Sequence, residues 1–169
     1  MNVGTLAVRA TVGPLFVGHG TQKLFGWFGG HGIDATAGFF ESQLGLRPGK
    51  RHATLAGASE ALGGALLTLG TLTPVANAMI TGTMVTAIRK VHGPNGPWVT
   101  ESGWEYNAVL IAATTAATAN RSGNFMALAS AAAGAAGSYV VTELLNEPAP
   151  DPQPEPARAP SANGTPVAA

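Results

Sequence analysis

Between Ala53 and Leu72 the chain carries one formal charge, Glu60, in a run otherwise made of apolar and small residues. About 20 residues at a rise of about 1.5 Å each make a helix about 30 Å long, enough to cross the hydrocarbon core of a bilayer once. Runs of the same texture recur at residues 3–25, 74–91 and 104–119. Backbone groups held away from water must be satisfied within their own segment, so each run has to be a helix. The pattern predicts an all-α protein, a polytopic membrane four-helix bundle over residues 1–145. A further stretch at 125–145, rich in alanine and glycine, reads first as a fifth C-terminal helix that spans and second as a helix packed along the interface.

The breaks between runs support these limits. Trp27 and Phe28 close the first run as interfacial aromatics do, and Trp98 and Trp104 read as part of the same belt. Pro14 lies inside the first run, where neighbouring helices of a bundle can absorb its missing hydrogen bond. TLTP makes a tight turn, with Pro74 suited to a first helical position. HGPNGPWVTESG and ANRSGN are dense in turn residues. DATAGFFESQLG, Asp34 to Gly45, predicts a short helix capped by Asp34 or Thr36 and ended by Gly45, lying on the membrane surface or packed as a loop helix. From Asn146 the chain is proline- and alanine-rich with almost no large apolar residue, which predicts a disordered tail over 146–169.

Composition agrees. Charged residues make up 11% of the chain, against about 25% in an average soluble domain. Glycine is abundant, as close packing of membrane helices favours. Net charge is zero with no basic block, so a nucleic-acid partner is not expected. There is no cysteine, which excludes thiol redox chemistry, thiolate-bound zinc and iron–sulfur ligation by this chain. The stretch MNVGTLAVRAT lacks a basic leader region, so the first run is expected to be retained. Arg47, Lys50, Arg51, Arg89 and Lys90 would share one side, against Arg9 and Arg121, which puts the first and third loops in the cytoplasm.

The few charges inside the runs are the candidate functional residues. At about 100° per residue, Lys23 falls about 40° and His19 about 80° from Arg9 around the first helix, one polar stripe. Gly57, Glu60, Gly63, Gly64 and Leu67 share a face of the second run. A charge at the bilayer centre costs about 2.5–3.5 kcal/mol, so Glu60 should face inward and be paired or protonated. Together with Lys90 at the end of the third run and Glu105 and Tyr106 at the start of the fourth, these residues predict an internal polar pocket. No metal is expected: neither Glu60 nor Glu105 is followed three residues on by histidine, and His19, His31, His52 and His92 are scattered. No phosphate-binding loop, metalloprotease motif or nucleophile elbow occurs.

The succession GHGTQKLFGWFGG, FFESQLGL, ASEALGGALLTLGTLTPVA and GPNGPWVTESGWEYN, from about Leu6 to Thr118, resembles the DoxX family of small bacterial integral membrane proteins. The positions that carry it are His19, Lys23, Glu60, Gly63, Gly64, Glu105 and Tyr106. The resemblance implies a bundle in the bacterial cytoplasmic (inner) membrane, associated with redox metabolism. One member resembles the small subunit of a thiosulfate:quinone oxidoreductase, and another a membrane partner joining a superoxide dismutase and a sulfurtransferase. It therefore implies a non-catalytic subunit of an oxidoreductase or oxidative-stress system, with no covalently bound cofactor. A quinone would be bound near Arg9, His19, Lys23, Glu60, Lys90, Glu105 and Tyr106. The alternatives are a non-catalytic scaffold for soluble redox or sulfur-metabolism enzymes, and a pathway for protons or small solutes along the Arg9–Lys23 stripe. Expected partners are membrane lipid, a soluble or membrane redox enzyme, and a second copy of the chain.

Overall fold

The computed structural model describes residues 2–150. Among them there are six α-helices and no strand. They are α1 (Val3–Phe25), α2 (Gly32–Leu44), α3 (Gly49–Leu69), α4 (Thr73–Ala87), α5 (Glu105–Ser122) and α6 (Asn124–Tyr139). Both α4 and α6 end in a π-helical turn, Ile88–His92 and Val140–Leu144 respectively.

α1 begins where the side chain of Asn2 accepts a hydrogen bond from the Thr5 N–H at 2.8 Å, and ends at Gly26 in the left-handed conformation. Left-handed glycines likewise stop α2 at Gly45 and α3 at Gly70. Two boundaries differ from expectation. α2 starts at Gly32 after His31, which makes no side-chain cap, and Asp34 sits inside its first turn rather than at its end. α3 starts one turn early, at Gly49, because Pro48 is extended and suits the position before a helix. Lys50, Arg51 and His52 are therefore helical.

Packing follows the small residues. α1 lies on α3, α3 on α4, α4 on α5, and α5 returns to α1, while α6 lies across α4 and α5 and α2 across α3 and α1. The core sits inside that ring: Phe16 of α1, Leu67 of α3, Ala76, Ile80 and Met84 of α4, and Ala117 of α5. The face of α3 formed by Gly57, Glu60, Gly63, Gly64 and Leu67 is buried. A methyl group on Gly64 would meet the Gly13 carbonyl at 2.6 Å and the Val17 nitrogen at 2.7 Å, so the two backbones are in direct contact. Asn77 ties three helices: its amide donates to the Ala127 carbonyl and the Ser130 hydroxyl of α6, and its oxygen accepts from Thr115 of α5.

Large apolar side chains remain on the outside, among them Leu15, Leu62, Val109 and Leu128. Among the described residues one helical stretch, Asn124–Leu144, is by itself long and apolar enough to cross a membrane. Of the reading of four spans and a fifth, the all-α class holds, and one of the five runs qualifies as a span by length and composition alone. The ring helices are diluted by the threonine, glycine and charged groups they bury against one another, whereas the last helix keeps its polar side chains few and small.

Asn146 and Glu147, the first residues of the stretch expected as a tail, are held in place. The Asn146 side chain accepts from the Arg47 N–H and donates to the Gly45 carbonyl, and Glu147 pairs with Arg51 at 2.9 Å. These contacts clasp the end of the last helix to the loop between α2 and α3. The remainder of the expected tail, 151–169, lies outside the described residues.

Candidate functional site

The antiparallel α1–α3 contact places Lys23, near the end of α1, opposite Glu60, in the middle of α3. Lys23 Nζ donates to Glu60 Oε2 at 2.5 Å. The Glu60 side chain is 7% exposed and that of Lys23 27%, so the pair is held largely away from solvent. One turn before Lys23, His19 is exposed and makes no hydrogen bond or ion pair with any described residue. All three line one cavity of about 570 Å³. Its size lies within the range of about 300–1,000 Å³ common to small-molecule sites.

The rest of the wall is mostly apolar and partly aromatic. Phe16 of α1 and Phe39, Phe40 and Leu44 of α2 contribute, and Tyr106 of α5 lines the cavity while remaining half exposed. α2 is packed over α3 and α1 and walls the cavity.

Three of the seven residues expected in one cluster lie elsewhere, a correction with a clear geometric reason. Arg9 is 14 residues before Lys23, about 21 Å along the same helix. Its guanidinium donates to the Leu67 and Thr68 carbonyls at 3.1 and 3.0 Å, in the last turn of α3. Lys90 sits in the π-turn of α4 and faces α6, where it pairs with Glu143 at 3.4 Å. Beside it Arg89 pairs with Glu143 at 2.7 Å and lies 3.6 Å over the Tyr139 ring, so the two cations fasten α4 to α6. Glu105 accepts the Val99 N–H at 2.7 Å and orders the loop before α5. Between Arg9 and Lys23, Gly13 and Gly20 are pressed against the backbone of α3.

Two cavity residues escaped the sequence reading. Asn107, one position beyond Tyr106, is buried with its amide directed at the Met84 sulfur, 3.3 Å away. His52 is 2% exposed and lines the cavity; its Nε2 lies 3.1 Å from the Arg47 carbonyl, and its Nδ1 has no hydrogen-bond partner. The signal for His52 was present: it stands five residues before Gly57 and eight before Glu60, on the same buried face, once α3 is extended by a turn. No group of three or more histidine, aspartate and glutamate side chains among the described residues is placed to hold a metal ion.

The family model DoxX matches residues 4–93, just over half of the chain. That segment contains His19, Lys23, His52 and Glu60 and stops short of Tyr106 and the Glu105 block that contributed to the resemblance. No curated protein and no solved structure matches the chain.

Proposed function

The chain belongs to the DoxX family, a membrane family, and on that premise we propose that it is a multi-pass subunit of a redox or oxidative-stress system in the bacterial cytoplasmic membrane, binding a quinone in the cavity beside Lys23 and Glu60. In this reading α1, α3, α4 and α5 form the membrane bundle, α6 is its fifth span, and the outward leucines and valines meet acyl chains. The pole carrying Arg47, Lys50, Arg51, Arg89 and Lys90 faces the cytoplasm.

The observation that carries the proposal is the Lys23–Glu60 pair, buried in mid-bundle and lining an apolar cavity next to an unpartnered His19. An ion pair wanted only for stability gains little over well-packed apolar residues, whereas one on a cavity wall has donors and an acceptor to offer. Lys23 has two further N–H groups and His19 a free ring, either of which would donate to a carbonyl of the ligand. Glu60 would hold or release a proton beside it, and the Phe16, Phe39 and Phe40 rings would pack on the flat ring system and exclude water. A bound quinone would supply two-electron, two-proton redox capacity. With no cysteine in the chain, any persulfide chemistry belongs to a partner protein.

Titrating purified protein with a decyl-benzoquinone tests the assignment. Glu60→Gln and His19→Ala should each weaken binding about tenfold, the order expected from one charge-assisted hydrogen bond. Unchanged affinity in both variants would remove the quinone site from this cavity.

A further inference from the structure

Two side-chain oxygens on buried residues of the cavity wall have no partner among the described residues, yet are not sealed in. One belongs to Glu60: Lys23 holds Oε2, and Oε1 makes no hydrogen bond. The other belongs to Asn107 of α5, which is 6% exposed and lines the cavity. Its Nδ2 lies 3.3 Å from the Met84 sulfur, which has no hydrogen to give, so the amide nitrogen faces the sulfur and Oδ1 is left without a donor. The buried side-chain atoms among the described residues that lack both a partner and access are Thr81 Oγ1 and His52 Nδ1. Glu60 Oε1 and Asn107 Oδ1 are not of that kind: each keeps accessible surface, and the space these residues line is the cavity.

The two oxygens stand at one depth of the bundle, on helices that are opposite members of the ring α1–α3–α4–α5. α3 and α4 run antiparallel, and a methyl group on Gly63 would meet the Ile80 side chain at 3.2 Å. Glu60 lies three residues before Gly63 and Met84 four after Ile80, so both are about one turn away in the same direction. Asn107, held against Met84, therefore shares the level of Glu60, which Lys23 reaches from α1. The charges at this level cancel, one ammonium against one carboxylate, with a neutral amide across from them. An anion would meet Glu60 and a cation Lys23, so neither gains by entering. Each place also offers both kinds of hydrogen bond. Glu60 Oε1 accepts and the further Lys23 N–H groups donate; Asn107 Oδ1 accepts and its second N–H donates. A hydroxyl group, which donates and accepts at one oxygen, answers either place in full.

From this we infer that Asn107 is a second ligand-binding residue of the cavity, facing the Lys23–Glu60 pair, and that the two together take an uncharged, largely apolar molecule with two hydroxyl groups. One hydroxyl donates to Glu60 Oε1 and the other to Asn107 Oδ1, while the apolar remainder lies against walls such as Phe16 and Leu110. Asn107 lies beyond the segment 4–93 matched by the family model, so this half of the site is contributed by α5. The inference rests on the cavity being the binding site proposed above, but not on the ligand being a quinone.

The test uses the full-length purified protein in lipid nanodiscs, with empty nanodiscs as the blank. The probes are a series of dodecanediols in which the spacing of the two hydroxyls is varied, each compared with its monomethyl ether. At the best spacing the native protein should bind the diol about three- to tenfold more tightly than the ether, the span of one neutral hydrogen bond. Asn107→Leu, which keeps the shape and removes the amide, should bring the diol down to the level of the ether. Affinity for the ether, which still has Glu60 to address, should stay within about twofold and so reports that the site is intact. Asn107→Gln should keep part of the preference and guards against a folding defect in the leucine variant. The hydroxy acid of the same length should bind more weakly than the diol. No diol preferred over its ether by the native protein, no binding of either, a preference that persists in Asn107→Leu, or a hydroxy acid bound as tightly as the diol, would each overturn the proposal. Decyl-benzoquinone titrated alongside separates the two readings. Diol selectivity that depends on Asn107, with no binding of the quinone, retains this proposal and overturns the quinone reading; quinone binding without diol selectivity does the reverse.

Discussion

Two cations of α1 meet α3 at opposite ends of one contact, and they are satisfied in different ways. Arg9 reaches the last turn of α3, where its guanidinium donates to the Thr68 carbonyl and shares the Leu67 carbonyl with the capping Gly70 N–H. The end of a helix presents acceptors and a partial negative charge to such a cation. Lys23 meets α3 in mid-helix, where every carbonyl is used. Only a side chain can answer it there, and the chain supplies Glu60 at 2.5 Å. A backbone-bound cation is a fixture; a cation held by a carboxylate leaves two titratable groups that a ligand can address. The cavity lies at the second end and not at the first.

The comparison makes the Lys23 end the more fragile. Lys23→Met leaves the Glu60 carboxylate buried without its partner and should destabilise the protein by about 3 kcal/mol, the low end for a broken buried pair because Lys23 is partly exposed. The double variant Lys23→Met with Glu60→Leu should recover most of that stability and still fail to bind a ligand. Denaturant unfolding in detergent micelles, followed by circular dichroism, reads the first effect and probe titration the second. A double variant as unstable as the single one would mean that the pair holds the helices together and is not maintained for the cavity.

Next in size is the contact between the two ends. Gly64→Val places side-chain atoms against the Gly13 carbonyl, the Val17 nitrogen and Phe16, most of which is backbone and cannot move aside. A loss of about 2–3 kcal/mol is expected, as for an overpacked core. A normal melting curve for this variant would show that α1 and α3 tolerate separation, and that close approach does not set the width of the cavity.

Arg9→Met, at the fixture end, should cost less, about 1.5 kcal/mol for hydrogen bonds from a charged donor to two carbonyls. Ligand binding should be unaffected, since the residue is about 21 Å from Lys23. A change in affinity with unchanged stability would reverse the distinction drawn between the two ends.

These contrasts also explain what could be read from the sequence. Glu60 was legible because a lone carboxylate on a glycine face has only one sensible place to go, and Lys23 because helical spacing puts it near His19. Arg9, Lys90 and Glu105 were assigned to the same pocket on charge alone. Their true partners are a pair of helix-end carbonyls, a glutamate 53 positions further along at Glu143, and a loop N–H, none of which has a signature in local spacing. His52 was lost for a smaller reason. Polar residues at 50–52 read as loop, and a helix that begins one turn early moves His52 from a connector onto the buried face. The all-α class needed only the apolar runs, whereas the account of which helices can cross a membrane alone was blurred by the alanine, glycine and threonine that let them pack so closely.

The smallest expected effect is a gain. Gly18 is in the interior of α1, two residues before Gly20, and a methyl group added there meets nothing within 4 Å. At Gly20 the same methyl would run into the Gly57 carbonyl and the Ala61 nitrogen. Gly18→Ala should therefore stabilise the protein by about 0.5–1 kcal/mol through the restricted freedom of the unfolded chain, and Gly20→Ala should destabilise it. Both are read from the same unfolding curves. If Gly18→Ala were instead destabilising, the open face of α1 would have to be filled in the membrane by a neighbour, and a second copy of the chain would be the first to examine. Running Gly18→Ala through cross-linking in native membranes decides it: loss of a dimer band together with the loss of stability assigns that face to self-association, and a gain with an unchanged band leaves that face of α1 outside any dimer contact.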